Sequence, residues 1–303
     1  MNLNDYLNKA LKEGWATGHF NASESDQFRA ICEAALEISK YRNIEIPAII
    51  GTSEGEAKHL GYFEAVALRD AFRKELGTPV FLNSDHHKSV EAAKKAVDAG
   101  YDSIHIDLSA EPYEENVAGT KEIVEYAKNS AIGGSASGGK NFQISVEGEL
   151  GYLRGESKIQ KEKITVKPED LTNPDTAKNF ISRTGVNRLA IAVGNIHGLS
   201  LGEPTLDIER IKKIREAVPK NVALVLHGGS GIPDEQIKAA IGAGIANIHI
   251  NTDIRVAYTM ALREEFSKNP DEVAPYKFDS SAREAVKKIV KEKLILFCAE
   301  DRI

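Results

Sequence analysis

Short apolar runs recur along the chain, each closed by Gly, Asn, Asp or Ser and most followed by a segment whose apolar positions repeat every three or four residues. The runs are GHFNAS (18–23), IPAIIGTS (46–53), PVFLNSD (79–85), SIHIDLS (103–109), QISVEGEL (143–150), RLAIAVG (188–194), VALVLHGG (222–229) and ANIHINTD (246–253). Their length and β-branched content predict strands, and intervening stretches such as EAAKKAVDAGY and PDEQIKAAIGAGI predict amphipathic helices. Alternating units of this kind imply a parallel sheet. Eight of them in about 250 residues imply an α/β fold of the closed (β/α)8 TIM-barrel type, with an open doubly wound sheet as the alternative. MNLNDYLNKALKEGW adds an N-terminal helix, and helical patterning after the last strand adds extra C-terminal helices. No linker interrupts the pattern, so a single barrel domain over residues 1–303 is expected.

Two connections stand apart. GGSASGGK (133–140) is Gly/Ser-rich, and GYLRGESKIQKEKITVKPEDLTNPD (151–175) is polar with no strong period. A connection of that length in a compact domain reads as a lid or binding loop.

Composition narrows the function classes. A net charge of -6 with no basic cluster argues against nucleic acid as a partner. No apolar run reaches the roughly 18 residues that span a membrane, and the N-terminus reads as a helix rather than a signal peptide. Two cysteines, Cys32 and Cys298, without metal or redox spacing fit free thiols and a cytoplasmic protein.

In a (β/α)8 barrel, functional residues gather at the C-terminal ends of the strands. His86 follows the third predicted strand, His197 lies in GNIHG after the sixth, and His227 closes the seventh. A lone strand-end histidine is usually structural, but three on one rim match a common catalytic zinc shell. Polar residues also alternate along strands that should be apolar on both faces: His105, Asp107 and Ser109; Ser145, Glu147 and Glu149; His249, Asn251 and Asp253. They read either as a wet, hydrogen-bonded barrel top or as groups that orient metal ligands and move protons. HGGSGIPDEQI, with Ser230, and INTDIR, with Asn251 and Thr252, form two Gly- or Asn-led helix starts suited to a phosphate. His87 and His59 read as solvated or helix-start residues.

HFNAS, GTSEGEAKHLGYF, SDHH, SIHIDLSAEPYEENV, SVEGELG, GNIHGL, LVLHGGSGIP and AREAV, in this order, resemble the class II metal-dependent ketose-bisphosphate aldolases, which include the fructose- and tagatose-bisphosphate enzymes. The resemblance runs nearly end to end. It implies zinc, one catalytic ion per chain, on His86, His197 and His227, with Glu149 as a further ligand in a resting position. It implies Asp85 as the acid/base at the C4 hydroxyl, and Asp107 with Glu149 as acids near the metal; Glu147, which alternates with Glu149, is expected behind the ligands. Gly198, Gly228, Ser230, Asn251 and Thr252 match the cradle for dihydroxyacetone phosphate, Ser53 a substrate-side serine, and a monovalent cation (Na+ or K+) is implied beside the phosphate. A homodimer or homotetramer is implied as well.

The chain departs from that pattern in three places. The mobile-loop Glu is shifted, so that GYLRGES offers Glu156 with Ser157 at the expected position. NIHI offers His249 where an Asn is usual, and APYKF offers Tyr276 where the neighbouring subunit's Arg is usual. Catalytic roles are therefore expected for Asp85, Glu156 and His249. The implied function is reversible cleavage of a ketose 1,6-bisphosphate, foremost fructose 1,6-bisphosphate, to dihydroxyacetone phosphate and glyceraldehyde 3-phosphate. The alternatives are an aldolase for another phosphorylated ketose (tagatose 1,6-bisphosphate or a keto-sugar acid phosphate) and a non-catalytic metal- and phosphate-binding barrel.

Overall fold

A computed structural model describes residues 1–130, 143–202 and 204–298; the Gly/Ser-rich stretch 133–140 lies outside the described residues. The strands are β1 Thr17–Asn21, β2 Ala48–Ser53, β3 Val80–His87, β4 Ser103–Ile106, β5 Ser145–Leu150, β6 Gly155–Ile159, β7 Arg188–Ile191, β8 His197–Leu199, β9 Ala223–Leu226 and β10 Ile245–Ile250. Eight of them close a parallel barrel in the order β1-β10-β9-β7-β5-β4-β3-β2. All eight predicted runs are in it, and closure removes the edges that an open sheet would leave.

Each strand takes its place because its outward residues meet the helices. Phe20, Ile50, Leu82, Ile104, Val146, Leu189, Leu224 and Ile248 all join the main apolar cluster between barrel and helices. The helix Leu3–Glu13 closes the N-terminal end: its buried face of Leu3, Tyr6 and Leu7 packs on Ile49, Phe81, Ala223 and Ala246. At the opposite end, β3 hands over abruptly to a helix. Ser89 caps Val90–Ala99 by accepting the Ala92 N–H at 3.1 Å, which fixes where the chain leaves the barrel just past His86 and His87. The long helices Thr252–Lys268 and Pro275–Phe297 complete the wall, the second packed along Ser25–Arg42. Among the described residues no helix is long and apolar enough to cross a membrane.

Two expectations change. The polar connection 151–175 contains β6, which pairs in parallel with β8 in a small second sheet outside the barrel, at Gly155↔His197 and Ile159↔Leu199. Its partner lies far along the chain, so no local period announces it. His87 is buried, not solvated; its Nε2 lies 3.0 Å from the Tyr62 hydroxyl, and burial lowers its pKa to about 4.

Candidate active site

The three rim histidines are neighbours, with His197 outside the compact groups of ligand atoms that include His86 and His227. The ring of His86 lies 4.7 Å from that of His197 and 4.5 Å from that of His227, with His197 and His227 6.3 Å apart. His86 sits at φ 49°, a left-handed backbone that residues with a Cβ seldom adopt, where the β3–β4 register shifts between Ser84 and His87. The shift turns the ring inward while its backbone N–H donates to His105 Nδ1 at 3.1 Å.

Hydrogen bonds select which nitrogen each ring presents. Asp107 Oδ2 lies 2.7 Å from His86 Nδ1, so Nε2 is the nitrogen that faces His197 Nε2, 3.1 Å away. Glu147 Oε1 lies 2.6 Å from His227 Nε2, so Nδ1 is left for the cavity. Burial, reinforced by His86, holds His197 and His227 below the ordinary imidazole value; both are neutral and keep a lone pair. Burial also works against a charge on His86, but Asp85 leads the groups that raise it.

Buried acids crowd these rings. Asp85 Oδ1 and Glu149 Oε2 are buried without a hydrogen bond, and Glu149 Oε2 lies at ion-pair distance from His105 Nε2 (3.1 Å) and His86 Nδ1 (3.6 Å). Burial disfavours a charge on His105, yet Glu147, Asp85 and Glu149 together push it up to about 10. Asp85, His86, His105 and His227 place one ligand atom each within 4.8 Å of one another, and so do His86, Asp107 and Glu149. The lone pairs of His197 and His227 beside buried carboxylates with unused oxygens fit a divalent cation.

Asp85 stands at the centre. Its Oδ2 accepts from Asn21 Nδ2 at 2.9 Å, and its Oδ1 lies 3.3 Å from His249 Nδ1. Burial opposes its ionisation, but His86, His105 and His249 hold it well below the usual carboxylate range, so it is an anion at neutral pH. Asp85, His86, His197, His227 and His249 line one narrow cleft. Gly198, Gly228, Ser230, Asn251 and Thr252 line it as well. Gly228 has φ 64°, and a Cβ there would lie 2.1 Å from the Ile196 carbonyl; only glycine lets the chain pass this close. Ser230 Oγ accepts the Asp253 N–H at 3.2 Å at the start of helix Thr252–Lys268, leaving its hydroxyl free to donate.

Other expected site residues lie elsewhere. Ser53 is engaged in a capping box, accepting from Glu56 N–H at 3.4 Å and donating to Glu56 Oε2 at 2.9 Å, and is not on the cavity wall. Glu156 is 74% exposed on β6 and paired with Lys158 at 2.7 Å; strand alternation turns its neighbour Ser157 to the cavity instead. Tyr276 is 78% exposed.

Sequence reasoning overlooked Asn21, which holds Asp85, and His19, which stacks on His249 at 3.6 Å and 11°. The signal was there: His19 and Asn21 alternate on one face of the first predicted strand. It overlooked Arg188 too, whose guanidinium lies 2.8 Å from Glu147 inside the barrel.

A family model described as "Fructose-bisphosphate aldolase class-II" matches residues 1–302. The chain is 36% identical over 297 residues to a fructose-bisphosphate aldolase of Geobacillus stearothermophilus, covering 97% of this chain and 95% of that protein. It is 37% identical over 318 residues to the fructose-bisphosphate aldolase of Thermus caldophilus, covering 97% and 96%. Among solved structures, the YdjI aldolase from Escherichia coli K12 superposes with a TM-score of 0.77 at 29% identity, covering 99% of this chain and 98% of that one.

Proposed function

The chain belongs to the class II fructose-bisphosphate aldolase family, a metal-dependent group of carbon–carbon lyases, and from that premise we propose that it reversibly cleaves fructose 1,6-bisphosphate to dihydroxyacetone phosphate and glyceraldehyde 3-phosphate. The observation that carries this reading is a single cavity. It is lined by Asp85, His86, His197 and His227 together with Gly198, Gly228, Ser230, Asn251 and Thr252, the last of which starts a helix. His86, His197 and His227 would hold the metal, for which zinc suits a three-imidazole set with an open position. When bound, that ion supplies Lewis acidity to the substrate's carbonyl end.

The protein's own groups do the rest. Asp107 and Glu147 fix the tautomers of His86 and His227. Gly198, Gly228, Ser230, Asn251 and Thr252 receive the phosphate of the dihydroxyacetone half, using backbone N–H groups and the helix end. A monovalent cation, Na+ or K+, would share that charge. Asp85, ionised and steadied by Asn21, takes the C4 hydroxyl proton as the C3–C4 bond breaks and returns it in condensation.

The proton at C3 needs a second carrier. His249 lines the cavity with Nδ1 towards Asp85 while Nε2–H is tied to Asn247 Oδ1 at 3.0 Å, so it is placed to serve. Glu156 is the second reading: β6 shifts register between Gly155 and Ile159, and a one-residue slide would exchange it for Ser157 at the cavity. A homo-oligomer is part of the same reading; Met260, Phe266, Val273 and Tyr276, on or between the last two helices, are exposed apolar side chains. The reading as a whole is tested by turnover on a panel of phosphorylated ketoses, fructose and tagatose 1,6-bisphosphates included, before chelation, after it, and with zinc restored. Activity on none of them, or activity that survives complete metal removal, refutes it.

A further inference from the structure

The interior of a parallel barrel is ordinarily filled by layers of branched aliphatic side chains. Here the layer beneath the cavity is polar, and its only guanidinium among the described residues is Arg188, at the start of β7 and 0% exposed. Its Cα is in register with that of Glu147 on the adjacent β5, which sets the two side chains together. One arm, Nη1, lies 2.8 Å from Glu147 Oε2 as an ion pair whose angles fall outside those of a hydrogen bond. The other, Nη2, donates to Asn83 Oδ1 at 2.9 Å.

Each contact leads on to a ring. Glu147 spends its second oxygen on His227 Nε2 at 2.6 Å. Asn83 Oδ1 accepts from Ser103 Oγ as well as from Arg188, which fixes the amide so that Nδ2 points to His19 Nε2 at 3.0 Å. His19 in turn stacks on His249. A buried arginine is expensive to desolvate, and a core of this size could hold an aliphatic residue at that position. What the guanidinium does that an aliphatic side chain cannot is hold the Glu147 carboxylate by charge while donating to Asn83 from the same planar group.

We propose that Arg188 is a positioning residue of the metal site: it locks Glu147 in the rotamer that holds the His227 Nε2–H, so that His227 presents Nδ1 to the metal. Through Asn83 the same guanidinium fixes His19 beneath His249. The proposal rests on the reading of His86, His197 and His227 as metal holders.

The sign of one change separates positioning from simple electrostatics. Removing a buried positive charge near a cation site should tighten cation binding if the charge acts only through its field. Removing the clamp should loosen it, because orienting partners behind metal ligands are worth 10–100-fold in affinity. The measurement is zinc affinity of the metal-free full chain by competition with a chromophoric chelator, with the melting temperature of the same metal-free samples alongside. Arg188→Met is expected to bind zinc 10–100-fold more weakly. Glu147→Gln should fall by a similar factor, and Glu147→Gln/Arg188→Met by no more than the weaker single variant, since both act along one path. The double variant leaves no unpaired buried charge and carries the test if Arg188→Met fails to fold. Parent-level or tighter zinc binding in Arg188→Met, or in the double variant, overturns the positioning role. His227→Ala is run beside them: zinc binding at parent affinity in that variant overturns the metal assignment itself, a result distinct from a null effect at Arg188.

Discussion

Replacing Asp85 by Asn removes a charge while preserving shape. The structure indicates how the amide would settle. Asn21 Nδ2 donates to one carboxylate oxygen at 2.9 Å, so the amide oxygen takes that side, and its NH2 turns to His249 Nδ1, 3.3 Å from the other oxygen. His249 donates its Nε2–H to Asn247, so Nδ1 is free to accept. Both new contacts are satisfied, and the fold should survive. What is lost is proton acceptance at the C4 hydroxyl, a contribution of about 10²–10⁴-fold, or ~2.7–5.4 kcal/mol of barrel-top catalysis. The assay is cleavage at saturating fructose 1,6-bisphosphate, with zinc content and melting temperature measured on the same samples. The expected result is activity down by at least ~10²-fold with zinc and melting unchanged. The parent's acid limb should lie below the ordinary carboxylate value, because the folded Asp85 pKa is depressed: its base form is present throughout the neutral range and is lost only as pH falls through that lowered value. Since Asp85 also lies in a compact group with His86, His105 and His227, a parallel loss of zinc would refute the proton-transfer role and make Asp85 a ligand.

Three further outcomes are expected. His197→Ala should lose most of its bound metal and its turnover together; a variant that keeps both would remove His197 from the metal set. Exchange of the C3 proton of dihydroxyacetone phosphate with solvent deuterium isolates the second proton step: His249→Asn should slow it, and if Glu156→Gln abolishes it instead, the loop carboxylate moves into the cavity during turnover. Asp170 holds the 151–175 connection by a two-pronged contact to Arg154, 2.5 and 2.8 Å, which is the chief cause of its lowered pKa. That contribution is fully present above the unfolded value of about 3.9 and is lost as pH falls through the folded one. Asp170→Asn should therefore melt below the parent at pH 7, with the gap closing towards pH 3; a gap that stays constant would show that the ionised clamp is not what stabilises the connection.

The local pattern of the chain determined the barrel and most of its rim. Strand and helix periods are properties of neighbouring residues, so eight strands could be read without knowing what each would touch. The ends of those strands carried His86, His197 and His227, and the alternation of Glu147 with Glu149 already marked an inward polar face. Tertiary structure alone decided which partners these residues meet. Nothing in RLAIAVG indicates that Arg188 lies inside; it does so because closure sets β7 beside β5 with Arg188 opposite Glu147. Nothing local gives the β6–β8 pairing, which turns Ser157 rather than Glu156 to the cavity. The left-handed turn at His86 likewise depends on a register shift against β4. These features are contacts between residues far apart in the chain, fixed by the register and closure of the sheet, and a period of two or 3.6 residues carries no information about either.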